Sequence, residues 1–188
     1  MTQLVAEYHT ITALVEDKPG VLARVASMFG RRGFNISNLS VGPSEAVGLS
    51  RMTFVVEGDD WVVEQVMKQL YKLIDVVRVS DISDDSIVVR ELALVKVRSS
   101  NEARPEIMQI VDIFRASIVD VANDALIIEV TGDEEKIDAL LTLLSPFTIK
   151  EIMRTGRVAM TRGSAVTGSR KTGADTTDHN APDAAVVE

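Results

Sequence analysis

Asp17-Lys18-Pro19-Gly20-Val21-Leu22 is the stretch on which the reading of this chain turns. Tyr8 to Glu16, just before it, is rich in β-branched and aromatic residues and reads as a strand. Just after it, Val21, Leu22, Val25, Met28 and Phe29 recur at helical spacing and make one apolar stripe. Pro19-Gly20 therefore converts strand into helix. The helix ends at Arg31-Arg32-Gly33, where cations meet the negative end of the helix dipole and glycine accepts a left-handed C′ position.

The pattern continues outward in the same style. Phe34 to Val41 reads as a second strand. Its alternation slips, with Phe34 and Ile36 in one phase and Leu39 and Val41 in the other, which predicts a bulge near Ser37-Asn38. Gly42 to Gly48 reads as a loop and Leu49 to Glu57 as a third strand. Asp59 is placed to cap a helix carrying Val62, Val63, Val66, Met67, Leu70 and Leu73. Val76 to Ile82 closes the unit.

After the polar linker Ser83-Asp84-Asp85-Ser86 the plan restarts. Val88 to Val97 is a strand and Pro105 to Phe114 a helix. Ile118 to Val121 and Leu126 to Thr131 form a hairpin across Asn123-Asp124. Glu134 to Leu144 is a helix and Ile149 to Met160 the last strand. The fold class is thus α+β: two ferredoxin-like βαββαβ units, 7–83 and 87–161. Residues 162–188 carry no aromatic residue and too little apolar surface to offset ordering entropy, so a disordered tail is expected there. Units of about 75 residues have marginal cores and exposed sheet edges, which favours side-by-side pairing of units.

Composition removes several functions. Among 188 residues there is no cysteine, so disulfides, thiolate catalysis and Cys-ligated zinc are excluded, in keeping with a reducing cytoplasm. A formal charge of −8 argues against nucleic acid as the partner. No apolar run approaches the ~20 residues that span a bilayer, and no signal peptide is visible. The two histidines, His9 in a strand and His179 in the tail, do not build a catalytic triad. His9 is expected half-buried. Glu134-Glu135 and Asp59-Asp60 sit at helix starts, where the dipole accounts for them. No catalytic residue, metal site, dinucleotide fingerprint or phosphate loop is read in the chain.

The Pro19-Gly20 turn is the best candidate site. A helix N-terminus offers unpaired N–H groups and partial positive charge to a carboxylate, and Gly20 has no side chain in the way. Asp17 is placed to accept from an ammonium group. A plain helix start, with Asp as cap, uses the same residues. Asn35, beyond the glycine that ends the helix, has an amide that serves both ends of an amino acid; it serves a turn equally well.

Ile11 to Val25 resembles the start of an ACT domain, a small-molecule-sensing module. Phe29, Arg32-Gly33-Phe34-Asn35-Ile36, Leu39-Ser40-Val41, Leu49-Ser50-Arg51-Met52-Thr53 and Gln69 to Val76 resemble the small regulatory subunits of acetolactate synthase (acetohydroxyacid synthase). Arg90 to Val97 and Ile113 to Val121 resemble the same family, so the likeness spans roughly residues 8 to 163. It implies a non-catalytic subunit that activates a large catalytic partner carrying thiamine diphosphate, Mg2+ and FAD. It also implies feedback inhibition by a branched-chain amino acid, usually valine, bound where two ACT domains meet in a homodimer. By the resemblance Asp17, Gly20, Val21, Leu22, Asn35 and Ile36 bind the effector, and Ala23, Gly42 and Gln65 lie near it. Many members carry Asn where this chain has Asp17. Ser99-Ser100-Asn101 replaces the Pro-Gly turn in the second unit, which is therefore expected to be structural. The alternative is a free-standing amino-acid sensor acting on some other partner. An RNA-binding sheet would need exposed aromatics and a basic face, and here offers only Tyr8 and Phe54.

Overall fold

Nine strands and four α-helices are seen in a computed structural model that describes residues 7–164 and 166–168. In the first unit β1 (Tyr8–Glu16), α1 (Val21–Arg32), β2 (Ile36–Pro43), β3 (Leu49–Glu57), α2 (Asp60–Leu70) and β4 (Val76–Asp81) follow in order. The strands form an antiparallel sheet in the order β2-β3-β1-β4. The second unit repeats the plan with β5 (Ile87–Arg98), α3 (Arg104–Ile113), β6 (Ser117–Val121), β7 (Ala125–Gly132), α4 (Glu134–Leu144) and β8 (Ile149–Arg154). Its sheet order, β6-β7-β5-β8, is the same plan again.

Alternation decides which face each helix covers. Ile11, Ala13 and Val15 of β1 and Met52, Phe54 and Val56 of β3 point to one face. Val21, Val25, Met28 and Phe29 of α1 and Val63, Val66 and Leu70 of α2 close over it. The second core gathers Ala93, Val95, Val97, Ile128, Val130, Ile107, Ile137, Leu140 and Leu144 in the same way.

Local signals act where expected. Gly33 takes φ +71° at the end of α1, and its N–H reaches the Gly30 carbonyl. The β2–β3 register shifts between Ile36 and Asn38, which is the bulge foreseen at Ser37-Asn38. Asp59 caps α2, accepting from the Val62 N–H at 2.9 Å. Asp59→Ala is expected to lower stability by about 1 kcal/mol, read as a shift of the urea midpoint without change of slope.

Three expectations are corrected. The stretch expected as one last strand is broken into β8 and β9 (Val158–Thr161). Gly156 takes φ +80°, which interrupts extended chain. Arg154 pairs with Ala93, and Val158 pairs with Arg90. The outgoing strand thus carries one residue more than β5, a bulge centred on Gly156. His9 is buried rather than half-buried, at 6% exposure, with its Nδ1 3.6 Å from Asp81 Oδ2. Strand β2 begins at Ile36 and runs to Pro43, two residues later at each end than expected.

The back of the first sheet is also covered. Thr10 and Thr12 are 3% exposed although they face away from α1 and α2. The Arg157 guanidinium donates to Thr10 Oγ1 at 3.3 Å, and Ser80 Oγ donates to the Gly168 carbonyl at 3.3 Å. Thr167 Oγ1 accepts from the Thr161 N–H at 3.0 Å. Residues 162–164 and 166–168, placed above in the tail, are thus part of the described structure. The remainder of that stretch, His179 included, lies outside the described residues.

Candidate functional site

The turn between β1 and α1 is held from several sides. The Asp17 N–H donates to the Gly48 carbonyl at 2.8 Å, tying the turn to the β2–β3 loop. Lys18 Nζ lies 2.7 Å from Glu16 Oε2, and this hydrogen bond with its charge raises the Lys18 pKa above its ordinary value. Gly20 occupies the N-cap position at φ +85°, a conformation that disfavours any side chain. No side chain caps the helix, so the Asp17 carboxylate is not spent there. The Val21 N–H donates to the Lys18 carbonyl at 3.3 Å and that of Arg24 to the Gly20 carbonyl at 3.0 Å, so the N–H groups of Leu22 and Ala23 are the ones left to a partner from outside the helix.

Side-chain direction separates the proposed binders. Val21 is 3% exposed and packs in the core, so only its backbone faces the turn. Leu22 is 46% exposed, and Ala23 is exposed beside it. Asn35 is exposed in the loop after α1, and Ile36 is half-buried at the start of β2. Gly42 is half-buried further along β2, opposite Arg51, and Gln65 is half-buried in α2.

The residues fall into two groups. Asp17, Gly20, Val21, Leu22 and Ala23 stand at the start of α1, and Asn35 and Ile36 follow its end. A helix of 12 residues holds the groups about 18 Å apart. The sheet register agrees. Ile36 is level with Val56 and His9 at the beginning of β1, whereas Gly42 is level with Arg51 and Leu14 near its end. Within one chain a single amino acid therefore cannot touch both the Gly20 turn and Asn35.

One pair beside the turn was missed from sequence. Arg24 Nε donates to Asp75 Oδ2 at 2.7 Å, and the Asp75 side chain is only 9% exposed. Asp75 also fixes the end of β1, its carbonyl accepting from the Glu16 N–H at 2.8 Å. A Cβ on Gly20 would meet Arg24 Nη1 at 3.4 Å, so the guanidinium lies against the turn. The only sequence signal is an arginine one helical turn after Gly20; its partner is 51 residues away. Among the described residues no cluster of His, Asp and Glu is placed to hold a metal ion. No helix among them is long and apolar enough to cross a membrane.

Comparison with known proteins fits this architecture. A family model described as an AHAS small subunit-like ACT domain matches residues 11–78, and one for the small subunit of acetolactate synthase matches residues 90–163. A relative from Archaeoglobus fulgidus is 60% identical over 156 residues, 83% of this chain and 98% of its own. The acetolactate synthase small subunit of Mycolicibacterium smegmatis is 50% identical over 163 residues, 87% of this chain and 96% of its own. The crystal structure of the acetolactate synthase small subunit from Thermotoga maritima superposes with a TM-score of 0.79 at 47% identity, covering 85% of this chain and 99% of that one. The chain belongs to the family of acetolactate synthase small subunits, the regulatory partners of the large catalytic subunit.

Proposed function

We propose that this chain senses valine, or another branched-chain amino acid, between the N-terminal ACT units of a homodimer. Through that interface it sets the activity of the large catalytic subunit in the cytoplasm. The carrying observation is the separation of the Gly20 turn from Asn35 and Ile36 by the full length of α1. A two-fold arrangement with the two α1 helices antiparallel brings the Gly20 turn of one copy to Asn35 and Ile36 of the other. Strand β2 is an edge strand and available for that pairing. Ala23, Ser27 and Gly30 on the exposed side of α1 allow a second helix to approach closely.

The ligand's carboxylate meets the N–H groups of Leu22 and Ala23, with the Arg24 guanidinium close by. Asp17 and the Asn35 amide of the partner copy serve the ammonium group. Arg24 is already paired with Asp75, so the positive end of the α1 dipole is what chiefly offsets the repulsion that Asp17 exerts on the carboxylate. The thiamine diphosphate, Mg2+ and FAD belong to the catalytic partner, and this chain contributes no reacting group. Tenfold inhibition requires about 1.4 kcal/mol of differential binding between two states of the complex.

Calorimetric titration of the full chain with valine tests this, repeated with leucine, isoleucine and Gly20→Asp. The parent is expected to give heat with at least one of the three. Gly20→Asp is expected to give none, because its carboxylate takes the place of the ligand's on the helix N-terminus. A variant that binds like the parent would remove the effector from this turn. No heat from the parent, alone or in complex with the large subunit, would exclude all three amino acids as effectors.

A further inference from the structure

We infer that Asn38 couples the effector-binding strand to the C-terminal unit, through a clasp with the Gly156 bulge. The inference rests on the effector reading above. Asn38 lies two residues beyond Ile36, on the far side of the β2 bulge. Its Oδ1 accepts from the Arg157 N–H at 3.0 Å. Gly156 lies so close against the same amide that a Cβ there would fall 2.4 Å from Asn38 Nδ2. A side chain at this position would push the Asn38 amide out of the contact, and φ +80° at Gly156 favours glycine independently.

Arg157 carries the contact into both units. Its guanidinium donates to Thr10 Oγ1 at 3.3 Å in the first sheet and to Glu134 Oε2 at 2.8 Å at the start of α4. Beside the clasp the units are separated by a cleft of about 540 Å3, so packed apolar side chains do not join them at this point. A few polar contacts with defined geometry can be engaged or released as a set, whereas a packed core deforms only at high cost.

The bulge makes the coupling mechanical. Ser37 is left out of the β2–β3 ladder, while Ile36 and Asn38 are held in it, against Val56 and Val55. Slack between those two points can be taken up when Asn35 and Ile36 close on a ligand. Asn38 then turns relative to Gly156. The ligand shifts the equilibrium because it binds the engaged and released arrangements with different affinity.

The test separates binding from its consequence. Valine binding is measured by calorimetry on the full chain. Valine inhibition is measured on acetolactate formation by the reconstituted complex, relative to each variant's own uninhibited rate. Asn38→Ala is expected to bind valine within about twofold of the parent and to need at least about tenfold more valine for half-inhibition, or to lose inhibition. Asn38→Asp retains an acceptor for the Arg157 N–H and is expected to restore inhibition. Gly156→Ala disturbs the clasp from the other side and is expected to repeat the Asn38→Ala result.

Parent-like inhibition in Asn38→Ala overturns the inference. So does joint loss of binding and inhibition in a folded Asn38→Ala, which would make Asn38 part of the ligand site. If Asn38→Ala does not fold, parent-like inhibition in Gly156→Ala overturns it equally. Should leucine or isoleucine rather than valine bind the parent, the same measurements are made with that amino acid; a parent that neither binds nor is inhibited by any of the three overturns the effector reading first, and the coupling with it.

Discussion

Phe54→Ala is expected to destabilise the first unit by about 3–5 kcal/mol. Phe54 is fully buried in β3, the strand between β2 and β1, where it pairs with Ile11 and Leu39. Its ring stacks on Phe29 of α1 at 5.4 Å, and Phe29 meets Phe34 edge-on at 6.2 Å. Truncation loses the transfer free energy of the ring and its aromatic contact, and opens a cavity between sheet and helix. Neighbours on a hydrogen-bonded sheet cannot collapse far to fill it. Small domains have only about 5–15 kcal/mol in all, so the loss is a large share. Phe54→Leu keeps most of the volume and is expected to cost less than about 1.5 kcal/mol. Urea unfolding of both variants, followed by circular dichroism, checks the pair. A loss below 1 kcal/mol in Phe54→Ala would contradict this account of the core.

Arg154→Met is expected to cost about 3 kcal/mol, at the low end for a broken buried ion pair because the arginine is partly exposed. The guanidinium reaches Glu91 through two hydrogen bonds of 2.7 and 2.8 Å and Asp138 through a third of 2.8 Å. The Glu91 side chain is 6% exposed, against 31% for Arg154. Hydrogen bonding to Glu91, opposed by burial, raises the affinity of Arg154 for its proton well above the ordinary level. Methionine fills much of the same space but leaves a buried carboxylate with no cation. The double variant Glu91→Gln with Arg154→Met removes that stranded charge and is expected to regain part of the loss. A double-mutant cycle by thermal unfolding measures the recovery. Equal stability of the double variant and Arg154→Met alone would show that the stranded charge is not the cause.

The fold was legible wherever a local rule and the hydrophobic pattern agreed. The phase slip from Phe34 and Ile36 to Leu39 and Val41 marked the bulge, because alternation fails where a residue leaves the ladder. Gly33 and Asp59 announced helix ends through chemistry that depends on adjacent residues alone. The break at Gly156 had a signal as well, a lone glycine in an alternating run, which the periodicity of Ile149 to Met160 overrode. The burial of Thr10 and Thr12 had none. Threonine suits a wet sheet face, and Arg157 and Gly168, which lie against that back face, are remote in sequence. The Arg24–Asp75 pair was hidden for the same reason. The two-group layout of the candidate site was implicit in the length of α1, since twelve helical residues set the spacing.

The pairing of β9 with the start of β5 bears on how the protein is made. Ile87 meets Thr161, so the outer hydrogen bonds of early β5 wait until synthesis reaches the end of the second unit. During that interval the first unit can already fold, with its back face still uncovered by Arg157 and Gly168. That face also carries Leu14 and Val55, and a nascent sheet with aliphatic side chains at every position there would invite aggregation on the ribosome. Thr10, Thr12 and Thr53 make the face more polar while it waits, and are buried once the chain is complete.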